Sequence, residues 1–83
     1  MTKTEELLTA ALRKVEGYDN ELARAHADVF RAGLQWFTEF EISQAEGNWR
    51  YSDGRFMSAD RMYRIAPEGR ATIRLAEAIL GVS

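Results

Sequence analysis

The residues able to do chemistry are few, and their spacing argues against catalysis. Nucleophilic catalysis needs a nucleophile beside a base. The 83-residue chain has no cysteine and one histidine, His26, flanked by Arg24 and Asp28 in no recognised arrangement. Glu39 and Glu41 face one another only if that stretch is a strand, and there they are solvated carboxylates. Glu68-Gly69-Arg70 is not a phosphate-cradling loop. Asp19 and Glu21 lie too near a helix start to join His26 around a metal ion. The expectation is a non-enzymatic protein with no catalytic residues, no metal and no cofactor.

A different chemistry gathers between positions 49 and 64, where cations and rings interleave: Trp49, Arg50, Tyr51, Arg55, Phe56, Arg61, Tyr63 and Arg64. Arginine and aromatic side chains dominate the energetics of protein-binding surfaces. They also suit phosphate contact and base stacking. Trp49, Arg50, Tyr51, Arg55, Arg61 and Arg64 are therefore the candidate partner-binding residues, with a protein as the first expected partner and DNA as the alternative. The charge is uneven: residues 1–47 carry a net −4 and residues 48–83 a net +2, all of the latter's cations being arginine. Such a split can orient a partner.

These side chains must be held by the surrounding elements, which form one domain over residues 1–83. Leu7, Leu8, Ala11, Leu12 and Val15 form one helical stripe, predicting a helix over 3–16. Thr2 with Glu5 has capping-box spacing, and Thr4 is the other candidate cap. Asp19 or Asn20 caps a second helix. Its apolar positions, Leu22, Ala25, Val29, Gly33, Trp36 and Phe40 with Ala23, Ala27, Phe30, Leu34 and Phe37, cover so wide an arc that it packs on more than one side. It is then the central element or part of a homodimer interface. Residues 38–43 alternate like a strand, but Gln44, Ala45 and Glu46 favour continuing the helix to about 44, with Gly47 stopping it.

Asp53-Gly54 signals a β-hairpin whose two loop residues set Tyr51 opposite Phe56 and Arg50 opposite Met57. Residues 61–65 read either as a third strand or as a short helical turn capped by Ser58. Pro67 opens a last helix, which Gly81 ends, and Gly69 in its first turn costs up to about 1 kcal/mol. The expected fold class is α+β: two N-terminal helices, an antiparallel hairpin of two or three strands and a C-terminal helix.

The segment Ser52-Asp53-Gly54-Arg55 through Tyr63-Arg64-Ile65-Ala66-Pro67-Glu68-Gly69-Arg70 resembles the C-terminal end of winged-helix transcription regulators of the MarR and PadR kinds, over some 25 residues. Those families carry an arginine-rich wing and then a Tyr-x-Leu-Thr-Pro-x-Gly-Arg sequence opening the next helix. The resemblance implies that Arg55 and Arg61 lie on a wing and touch the DNA backbone. The preceding segment, Gly33 to Glu41, departs from a basic recognition helix by being apolar and acidic. Acids there repel phosphate.

The acidic start, Met1-Thr2-Lys3-Thr4-Glu5-Glu6, is unlike a secretory signal, and no apolar run is long enough to span a membrane. The absence of cysteine fits a reducing cytoplasm. Small acidic domains without catalytic sets include phage and mobile-element inhibitors. The expected role is a small regulator, adaptor or inhibitor acting by protein binding, with a winged-helix DNA-binding regulator as the alternative.

Overall fold

A computed structural model describes residues 1–82, and within them the regular elements are helices: α1 (Lys3–Glu16), α2 (Glu21–Ala45), α3 (Ala59–Ile65) and α4 (Pro67–Leu80). Local chemistry sets each start. The Thr2 hydroxyl accepts from the Glu5 amide at 3.1 Å while the Glu5 carboxylate accepts from the Thr2 amide at 2.9 Å, the reciprocal pair expected of a capping box. Asn20 is the cap of α2, accepting from the Ala23 amide at 2.8 Å. That helix runs on through 38–45 and ends before Gly47, whose φ is +100°. Ser58 caps α3 through the Arg61 amide. Pro67 occupies the first turn of α4, and Gly81 closes it in the left-handed conformation.

The core forms where α1 packs against both α2 and α4. Leu8, Ala11 and Val15 meet Ala23, Ala27, Phe30 and Phe37 of α2 and Ile73 and Ala76 of α4, with Tyr63 of α3 closing one end. The glycine at position 33 lets the tip of Leu8 and the Tyr63 hydroxyl approach α2, for a Cβ there would lie 2.9 and 2.6 Å from them. The Lys14 ammonium donates to the Ile79 carbonyl at 2.7 Å, joining the C-terminal ends of α1 and α4.

The α+β expectation is corrected, because the described residues contain no strand or sheet. The hairpin shrinks to one antiparallel bridge, Arg50 with Phe56. Residues 61–65 are helical, so of the two readings the Ser58-capped turn is the one realised and the third strand is not. The winged-helix expectation falls with the strands: the residues likened to a wing strand and the next helix are α3 and α4. The physical reason is isolation. A lone two-stranded hairpin is marginal in water, and the residues that would lengthen this one are instead fastened to the end of α2 through Asn48–Ser43 and Gln44–Met57.

The register is also corrected. The Gly54 amide donates to the Tyr51 carbonyl at 2.9 Å and the Tyr51 amide to the Arg55 carbonyl at 2.8 Å. The loop therefore holds three residues, Ser52 to Gly54, and Arg50 lies opposite Phe56 instead of Met57. Asp53 does not take the positive φ that a type I′ turn requires; only Gly54 does, at +88°. Gly54→Val is expected to destabilise the turn by at least about 1 kcal/mol, because a β-branched residue is strained there. Loss of the Tyr51–Arg55 amide protection in hydrogen exchange checks it; full protection in the valine variant would show the turn to tolerate any residue.

Candidate protein-binding surface

The surface is anchored to the end of α2 by a run of rings. Phe37, Trp36 and Tyr63 pack with centroids 4.9–5.0 Å apart, Trp36 continues to Phe40 at 5.1 Å, and Phe40 stacks on Trp49 at 4.8 Å. The buried cluster thus leads outward to a half-exposed indole. Trp49 has φ +58°, an uncommon conformation for a bulky residue. The stacking on Phe40 and a 2.9 Å bond from the Met57 amide to the Trp49 carbonyl hold it there. The Gln44 side chain donates to the Met57 carbonyl at 2.9 Å and the Asn48 amide to the Ser43 carbonyl at 3.1 Å. Both ends of the loop are therefore fastened to the last turns of α2.

Beyond that base the turn pairs each arginine with a ring. The Arg50 guanidinium lies 4.1 Å from the Phe56 ring centre and that of Arg55 lies 5.2 Å from Tyr51. Such contacts are worth about 0.5–1 kcal/mol at exposed sites and hold the side chains extended on the surface. Arg55 also bonds Asp53 at 2.6 Å, and Arg64 bonds Asp60 one turn earlier at 3.3 Å. Arg50 and Arg61 have no carboxylate partner among the described residues.

Of the six candidates, Trp49, Arg50, Tyr51 and Arg55 share this turn and all are exposed. Arg61 and Arg64 are exposed on α3, and no ring or ion-pair contact among the described residues joins them to the turn. Phe56 is more exposed than any of the candidate rings, at 58%. The sequence reading set it opposite Tyr51, and the one-residue register shift moves it under Arg50. Tyr63 turns inward to the core. Glu39 lies beside the surface, lining a small hollow with Trp36, Phe40, Ser43 and Trp49. His26 is half-buried in another hollow with Lys14, Tyr18 and Ile79. No group of three metal-ligating side chains comes together among the described residues. No described helix is long and apolar enough to cross a membrane.

No protein-family model, no curated protein and no solved structure matches the chain.

Proposed function

We propose that the protein is a non-enzymatic regulator, adaptor or inhibitor that works in the cytoplasm by binding an acidic surface of a protein partner. The observation that carries this reading is the pair of arginines held over exposed rings at 4.1 and 5.2 Å on a turn fastened to α2. A rigid, arginine- and aromatic-rich patch loses little side-chain entropy on binding and presents the residue types that make hot spots. Phosphate is the poorer match. Asp53 and Asp60 stand beside Arg55 and Arg64, Glu39 lies beside Trp49, and the chain as a whole is net acidic, which repels a duplex.

Arg50→Glu and Arg55→Glu are each expected to weaken the complex by about 2 kcal/mol or more, as truncated hot-spot arginines do. The melting temperature should stay within error, because exposed ion pairs add little to folding. Affinity capture of the tagged wild type and both variants from the source cell, with mass spectrometry and thermal melts, measures both quantities. Partners captured equally by all three proteins would remove this surface from the proposal. Tight, sequence-selective duplex binding at about 150 mM salt would replace the protein partner with DNA.

A further inference from the structure

Apart from the arginine-bearing turn, a face of α2 leaves apolar side chains uncovered. Leu22, Ala25, Val29, Ala32 and Trp36 follow one another at three- and four-residue steps along one side of that helix. The core side is a different one, occupied by Ala23, Ala27, Phe30 and Phe37. Leu22 is 66% exposed and Val29 39%, Ala25 and Ala32 are exposed, and Trp36 is half-buried. Between this stripe and α4 runs a groove of about 380 Å³, walled by Val29, Ala32 and Trp36 on one side and Glu68, Ala71 and Thr72 on the other. Tyr63, only 5% exposed, lies at its floor beside Gly33.

Its order says what covers it. Read in either direction from Val29, the stripe runs small residue, then large: Ala25 and Leu22 one way, Ala32 and Trp36 the other. A two-fold axis passing beside Val29 and across the helix reverses that order. It sets Val29 near its own copy, Ala25 near the second Ala32, and Leu22 near the second Trp36. A two-fold interface needs a self-complementary patch of this kind. The shape leaves the face open along its length: the molecule measures 47 × 24 × 20 Å and exposes 5679 Å², about 600 Å² more than a compact monomer of 9.5 kDa.

We infer that the protein is a homodimer in which the two α2 helices pack antiparallel through Leu22, Ala25, Val29, Ala32 and Trp36. Each α2 ends in an arginine-bearing turn, so the dimer displays two such turns at opposite ends. They lie about 50 Å apart along the paired helices at 1.5 Å per residue. The inference does not depend on what those turns bind.

Sedimentation equilibrium is expected to give twice the chain mass at micromolar concentration. Val29→Glu and Ala32→Glu place like charges across the axis and should weaken association at least about tenfold. The helical circular-dichroism signal should remain, because both positions are exposed. The absence of cysteine permits a sharper measurement. Val29→Cys should form an intermolecular disulfide readily on oxidation, whereas Leu22→Cys should not, since the two copies of residue 22 lie about 21 Å apart along the antiparallel pair. A single-chain mass up to 100 µM, a dimer that survives Val29→Glu, or equal cross-linking at 22 and 29 would each overturn the inference. The first outcome would leave the groove to a helix of another protein, and the last would indicate parallel helices or another face.

Discussion

Phe37→Ala is expected to lower folding stability by about 3–5 kcal/mol. The ring is 1% exposed and sits 5.0 Å from Trp36 and 4.9 Å from Tyr63. Its removal empties the point where α2, α3 and the exit toward the 49–57 turn meet. Neighbouring rings cannot slide in to fill the space, because Trp36 is also packed on Phe40, and Phe40 on Trp49. A domain of this size has little stability in reserve, at the low end of the usual 5–15 kcal/mol range. Urea titration followed by tryptophan fluorescence measures the loss, and Trp36 reports from direct contact with the altered site. The variant should also lose order in the 49–57 turn before the helices melt. A midpoint unchanged by the substitution would contradict the placement of Phe37 at the centre of the core.

Helices were legible because their signals are local. Thr2 with Glu5, Asn20, Pro67 and Gly81 each mark an end through a bond or a backbone angle fixed within a few residues, and the apolar spacing in 7–15 names the buried face directly. In 22–37 the spacing offered two faces, of which the chain buries Ala23, Ala27, Phe30 and Phe37 and leaves Leu22, Ala25 and Val29 exposed. That arginines and rings gather around the 49–55 turn was legible for the same reason, since residue type is read directly, and the structure brings Trp49, Arg50, Tyr51 and Arg55 together there while leaving Arg61 and Arg64 on α3. The hairpin was not. Asp53-Gly54 fits a two-residue loop and also the last two places of a three-residue loop, and one residue of register decides whether Arg50 meets Met57 or Phe56. Residues 61–65 read equally as a third strand or a Ser58-capped turn, and the Ser58 cap and the contacts of Tyr63 with Phe37 and Trp36 select the helix. That selection is tertiary: a half-exposed five-residue segment has no periodicity long enough to tell the two apart.

Gly69→Ala is the substitution for which local propensity and tertiary packing predict opposite signs. Glycine inside a helix costs about 1 kcal/mol relative to alanine, so propensity alone makes the change stabilising. The packing reverses this. The only residue between α3 and α4 is Ala66, at φ −74° and ψ 137°, so the chain turns sharply and the first turn of α4 lies against the last turn of α3. A Cβ on residue 69 would fall 1.8 Å from the Tyr63 carbonyl oxygen and 2.8 Å from its carbon. Both atoms are backbone, so no side-chain rotation relieves the clash. The helices must part, and Tyr63 must then leave its contacts with Trp36 and Phe37. Gly69→Ala is therefore expected to destabilise by at least about 3 kcal/mol, the upper range of overpacking in a core that cannot shift. Ala71→Gly, two residues on and exposed, supplies the comparison, since it should lose only the propensity difference of about 1 kcal/mol. Thermal melts of the two variants beside the wild type decide the matter. Gly69→Ala should be the least stable of the three, and a melting temperature at or above the wild type's would mean that α3 and α4 do not meet at this joint.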